Sequence, residues 1–403
     1  REPDGVHWPV GSEFFRPWYD WVEAEIGVAR QASEPLLDGS APPPLPPHPA
    51  SEVGKVLLEG GRRLGLAPFP TPVAINSRPY RGRPACDLCS PCSGYACESG
   101  AKASPVLWIQ EALDRGAKLL VRHRAVRLVA SRRGEVDQLE VLDKRTGQLH
   151  RVRSRLFVLA ASALQSAALL LRSPSPSGGA IGDESDLLGR QVCFKMSEYV
   201  CGHHPRVDPE ARLGPFTTVA FLDYFERCPL PTGDVVRGGL IYEAMNGWAE
   251  PLPEPTNVRL EAIIGDTPDP DNRVRLSPSE VDEYGLPKLI MDYRPDPRDR
   301  ERLEALCQQA EEILRAAGAD HIQRMKTDSS TGAYHLHGTC RFGTDPERSV
   351  LDLDCRLHHW KDVYVVDGAF MPTPGALNPT LTIQANAARV AHHLAERLGR
   401  PLS

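Results

Sequence analysis

The stretch Leu156–Leu171, LFVLAASALQSAALLL, constrains the fold more than any other part of the chain. It opens as an uninterrupted apolar run and passes straight into a helix-length segment. A strand without alternation of apolar and polar residues is buried on both faces, as parallel strands are when helices cover them. The segment also carries Ser162, Gln165 and Ser166 and follows a charged, strand-like stretch, so it reads as a buried strand–helix crossover and no membrane span is expected.

Composition narrows the class further. The 403 residues suffice for two or three domains, and a hydrophobic share of 41% with 25% charged residues is that of an ordinary globular protein. The net charge of −6 offers no basic surplus for nucleic acid or an anionic membrane. Ten cysteines are too sparse for a disulfide scaffold, so a reducing, cytoplasmic compartment is expected.

Four regions follow from pattern changes along the chain. Region 1–103 is a connector region: a short helix bearing Trp18, Tyr19 and Val22, the proline-rich Ala41–Ala50, a helix loosened at Gly60–Gly61, and a cysteine-rich loop. The proline segment reads as a strap over the surface, with a docking motif as the alternative. Region 104–177 holds a helix stopped at Gly116, a meander of three or four strands, and the crossover. Region 178–330 is strand-like with many Pro and Gly breaks and fits an antiparallel sheet, followed by a long helix from RDRERLEALCQQAEEILRAAGA. Region 331–403 carries a strand, VYVVDGA, and a last helix.

The chemistry concentrates in that last region, which contains YHLHGTCRFG (Tyr334–Gly343), SVLD (Ser349–Asp352), VYVVDGAFMPT (Val363–Thr373) and ALNPTLTIQANAARVA (Ala376–Ala391). Asn378–Pro379 reads as a helix start, with Asn378 as cap and Pro379 in the first helical position. Such a start presents unpaired N–H groups to an electron-rich ligand atom.

At these residues the chain resembles the glucose–methanol–choline (GMC) family of flavin-dependent oxidoreductases. The shared motifs are H-x-x-G-T at His335–Thr339, S-V-x-D at Ser349–Asp352, D-G at Asp367–Gly368 and N-P at Asn378–Pro379, in the family's order. The resemblance extends over nearly the whole chain and is weakest across about 200–300. It implies an α/β (α+β) fold, with part of an FAD-binding Rossmann-like domain and an antiparallel-sheet substrate domain. It also implies oxidation of an alcohol to a carbonyl, a sugar-like or polyol hydroxyl first and a long-chain alcohol second. His335 matches the base, and Asn378 its partner on the substrate oxygen. Val126, Ala160, Asp367, Gly368, Asn378, Pro379 and Thr380 match positions that contact FAD. Ser162, usually glycine, and Phe342, often methionine, depart from the pattern; His337 is not a family position.

Two further expectations concern parts beside the catalytic motifs. The strand–GxGxxG–helix unit that seats a pyrophosphate is not found in this sequence, so a companion chain or an N-terminal segment is expected to carry it. The spacing of Cys86, Cys89, Cys92 and Cys97 is one residue longer at its end than a ferredoxin-like run. Packed thiols without a metal are expected there, an iron–sulfur cluster or zinc being the alternatives. Against catalysis stands the reading of a non-catalytic or electron-transfer subunit of a flavoprotein complex.

Overall fold

The computed structural model describes residues 7–33, 40–89, 92, 97–208, 214–230, 232–244, 253–326 and 334–400. Helices α1 (Arg16–Ile26) and α2 (Glu52–Arg63) precede a two-residue strand, β1 (Phe69–Pro70), and α3 (Val106–Asp114). Strands β2 (His123–Arg132), β3 (Glu135–Asp143) and β4 (Leu149–Arg153) form the antiparallel meander. The crossover is β5 (Phe157–Leu159) and α4 (Ala163–Leu171). Eight strands follow: β6 (Cys193–His203), β7 (Val219–Phe221), β8 (Cys228–Pro229), β9 (Val235–Val236), β10 (Leu240–Glu243), β11 (Val258–Gly265), β12 (Arg273–Val281) and β13 (Pro287–Asp292). The long helix α5 (Pro297–Ala317), strands β14 (Asp320–Met325), β15 (Tyr334–His337) and β16 (Val363–Val365), and helix α6 (Thr380–Arg397) close the described chain. The mixed helices and sheets are those of an α/β fold.

A seven-stranded antiparallel sheet runs β1-β7-β10-β11-β6-β14, and β15 pairs with β6 beside β14. Helices α2 and α5 bury its apolar face, joining Val53, Val56 and Leu57 to Leu303, Leu306, Ile313 and Leu314 in one core. Helix α2 runs unbroken through Gly60 and Gly61, against the expectation that this pair would loosen it. The reason is close approach: a Cβ on Gly60 would lie 2.6 Å from the Ile313 carbonyl oxygen and 2.7 Å from the Ala317 nitrogen on α5.

A second core gathers β5, β16, α4, the meander and the C-terminal segments around Trp360, Tyr364, Phe370 and Leu170. Here β5 and β16 pair in parallel, Phe157 opposite Val363 and Leu159 opposite Val365. The proline-rich segment lies on the body as a strap: Leu45 is buried, and buried Arg30 donates to Glu23 (2.8 Å) and to the Ala41 carbonyl (2.9 Å). Among the described residues no helix is long and apolar enough to cross a membrane.

Candidate active site

The parallel pair creates the first half of the site. Where β5 and β16 end, the Ala160–Ser162 turn and the Asp367–Gly368 pair lie side by side, and the Val366 N–H donates to the Leu159 carbonyl (2.9 Å). Ligands of open α/β sheets bind beyond the carboxyl ends of such strands. Asp367, buried, accepts from Ser166 Oγ on α4 (2.5 Å) and from the Ala369 N–H (2.9 Å). Burial pushes its carboxyl above the ordinary range, and the hydrogen bonds pull it back. Ala160 stands exposed at the mouth of this crevice.

Ser162 adopts φ 77°, ψ 157°, a region that only glycine occupies comfortably. Ser162→Gly should therefore raise the stability of the protein by about 1 kcal/mol, the low end of what such a conformation stores. Chemical denaturation should show a higher midpoint at unchanged slope; an unchanged or lower midpoint would mean that this turn carries no strain.

The second half comes from β15. The Tyr334–Lys195 and His337–Cys193 pairs of the β15–β6 ladder enclose an extra residue, a bulge, and His335 within it has φ 56°. Bulges re-aim side chains and are common beside active sites. The strand is docked onto the first half by Thr339 Oγ1, which donates to the Ala163 carbonyl (2.6 Å), and by the Cys340 N–H, which donates to the Ala369 carbonyl (3.0 Å). Gly368 permits the contact, since a Cβ there would lie 2.5 Å from the Leu336 carbonyl oxygen and 3.3 Å from His337 Nδ1.

The polar atoms gathered here are buried without partners in the chain. They are His335 Nδ1, His337 Nδ1 and Nε2, Lys195 Nζ and Gln191 Oε1. Burial, reinforced by the Lys195 charge, lowers His335 to a pKa of about 4 and holds His337 well below its usual value. Burial likewise lowers Lys195 to about 7. Lys195 was missed from sequence, though a lysine inside the apolar run Cys193–Met196 was a usable signal.

The start of α6 is also near: a Cβ on Gly368 would be 3.5 Å from Ile383 Cδ1, in the first turn of α6. The expected cap is corrected. Pro379 occupies the N-cap position, Thr380 begins the helix, and no side chain caps it. Asn378 stands exposed one residue earlier, and among the described residues no direct hydrogen bond joins it to His335. Val126 lies apart, at a bulge in β2, its carbonyl accepting from Arg172 Nε (3.1 Å) just beyond the far end of α4. The nine residues of α4 span ~14 Å, so only an elongated ligand touches both Val126 and Ala160. A cavity of about 590 Å³ is lined by Gln191, Arg341, Phe342, Ser349 and Pro372 among others, but by neither histidine.

The cysteine loop is separate from this centre. Cys86, Cys92 and Cys97 pack with Val73, Ile75 and Ala101, and burial pushes Cys92 up to about 11. Residues 90, 91 and 93–96 of the loop lie outside the described residues. Among the described residues, no three His, Cys, Asp or Glu side chains are arranged to hold a metal ion.

An elongated dinucleotide fits what these residues offer. The crevice beyond the parallel strands offers backbone, and the unpartnered ring nitrogens offer polar atoms, to such a ligand. Comparison with known proteins agrees. Two GMC oxidoreductase family models match residues 10–190 and 268–387. The chain is 44% identical over 402 residues to 6'''-hydroxyparomomycin C oxidase of Streptomyces lividus, covering 98% of this chain and 73% of that protein. Paromamine 6'-oxidase of Streptomyces fradiae is also 44% identical, with 97% and 72% covered. Among solved structures, pyridoxine 4-oxidase from Mesorbium loti shares the fold at a TM-score of 0.64 and 21% identity, over 96% of this chain and 77% of that one. The companion chain expected for the glycine-rich unit gains no support, because the family's N-terminal model already matches within this chain. The chain belongs to the GMC oxidoreductase family.

Proposed function

We propose that the protein oxidises a hydroxyl of a sugar-like alcohol, an amino sugar first, to a carbonyl, with FAD held across the crevice. The observation that carries this reading is His335: a half-buried imidazole, lowered to about 4 and therefore neutral at pH 7, with Nδ1 buried and unpartnered in the bulge of β15. A neutral imidazole accepts a proton, and a positioned base contributes about 10²- to 10⁴-fold. The names of the two Streptomyces oxidases favour amino-sugar alcohols over long-chain alcohols.

In this reading FAD supplies the hydride acceptor. His335 takes the hydroxyl proton on a ring nitrogen, and Asn378 orients the substrate oxygen. Asp367 fixes the Ala160–Ser162 and Gly368 backbone against which the cofactor lies. The start of α6, Asn378–Thr380, offers the positive end of an 18-residue helix. Val126 would be among the residues that hold the cofactor. Orientation of the reacting groups is a large part of the expected rate, up to ~7 kcal/mol in favourable cases.

The test uses the purified protein and its visible spectrum. Flavin absorption should be present and should bleach under anaerobic conditions on adding paromamine, with an aldehyde as the product. Flavin that no sugar or amino-sugar alcohol bleaches, while long-chain alcohols do, would replace the substrate class; a colourless, inactive protein would end the reading.

A further inference from the structure

Lys195 is placed where a hydrophobic residue would be at home. Its strand neighbours are Cys193, Phe194 and Met196, all buried, and the lysine itself is only 1% exposed with Nζ unpartnered. An ammonium group buried without a partner is costly, so packing alone does not account for it. The register shows what it faces. Lys195 lies opposite Gly265 on β11 and opposite Tyr334 on β15. Directly opposed residues of an antiparallel pair project to the same face. On that face Gly265 presents no side chain, and a Cβ there would collide with the Gly375 carbonyl oxygen. Lys195 thus rises between the bulged strand of His335 and His337 and the loop that leads to Asn378.

We propose that Lys195 is a positioning residue of the His335 site, its charge extending to more acidic solution the range in which His335 is free to receive the substrate proton. The proposal rests on the alcohol-oxidation reading above. Three basic groups on the paired strands β6 and β15 disfavour one another's protons, because like charges repel, and the group titrates as a unit. The other charged or titratable neighbours leave the task to Lys195. On β6, Cys193 is a fully buried thiol, held neutral by burial. Asp266, after β11, is taken by the Phe194 N–H (2.9 Å) and Tyr293 Oη (2.7 Å). Asp367 is taken by Ser166 and the Ala369 N–H. Arg341, beyond β15, adds a like charge, and α4 carries no ionisable side chain. No carboxylate among the described residues hydrogen-bonds either imidazole.

The test is a pH titration of the histidine ring nitrogens by NMR in the whole protein, as wild type, Lys195→Met and Lys195→Arg. Wild-type His335 should titrate near 4. In Lys195→Met its midpoint should rise by about one pH unit, the low end of the effect of a neighbouring charge, with burial retaining the rest. Lys195→Arg should keep it low. The acid limb of the kcat profile should move the same way in each variant. Because the titration needs neither flavin nor turnover, it stands or falls apart from the proposed activity. A folded Lys195→Met protein whose His335 midpoint stays at the wild-type value overturns the proposal. Should Lys195→Met not fold, Lys195→Gln gives the same comparison, and an ordinary wild-type midpoint near 6.5 overturns the proposal in either case.

Discussion

Replacing His335 by alanine should lower kcat by roughly 10²- to 10⁴-fold, with KM and flavin content close to wild type. In the proposed reaction the imidazole acts as the hydroxyl proton leaves, so its loss should fall on the transition state rather than on the bound substrate. The pH profile carries the same signature. A base works only when unprotonated, and the folded-state pKa of His335 is lowered to about 4. Turnover should therefore hold as the pH falls from 7 and be lost only as it approaches that value. Steady-state kinetics of His335→Ala beside His337→Ala decides the matter. If His337→Ala loses turnover and His335→Ala keeps it, the base is His337 and the motif is shifted by one turn of the bulge.

Asp367→Ala should destabilise the protein by about 3 kcal/mol and abolish flavin retention. Its carboxyl is the acceptor for Ser166 Oγ and the Ala369 N–H, and the backbone N–H groups of Ala161 and Ser162 also turn toward it. Removing a buried acceptor leaves such donors unsatisfied, at about 1–3 kcal/mol each. The same bonds hold the ends of β5 and β16 together, so the crevice should open as the stability falls. Asp367→Asn, which keeps one acceptor oxygen, should cost less than Asp367→Ala. Urea denaturation with absorbance of the released flavin measures both effects; a Asp367→Ala protein as stable and as yellow as wild type would show that the carboxyl organises nothing.

The parts of this architecture that were legible in the sequence are those with local causes. The Leu156–Leu171 run became a parallel strand and a helix because an unbroken apolar run marks a local element, but the burial expected on both faces of the strand is corrected: β5 buries Phe157 and Leu159 and leaves Val158 48% exposed. The helix from RDRERLEALCQQAEEILRAAGA became α5, capped by Asp296, for the same kind of reason. The gathering of Ala160, Asp367, Gly368 and His335 followed from motif order. What escaped was set by tertiary contact. Gly60 and Gly61 look like helix breakers until α5 is packed against the first and Phe221 of β7 against the second. The role of Asn378 as cap failed because Pro379 already holds the N-cap backbone. Lys195 stayed hidden because the pairing of β6 with β11 and β15 is invisible to any window along the chain.

That pairing also fixes the order in which the molecule is made. Strand β6 is made before its partners β11, β14 and β15, the last of which lies more than a hundred residues on, and β5 waits for β16. Each of these closures costs loop entropy before any contact rewards it, so the site belongs to the slow, late steps of folding. The crevice beyond β5 and β16 does not exist until β16 has been synthesised and paired. A ligand bound there stabilises the finished protein by mass action. It cannot template the search that precedes it. Slow expression and supplementary cofactor should thus improve recovery through different routes, the first by sparing unpaired strands and the second by trapping molecules that have already folded.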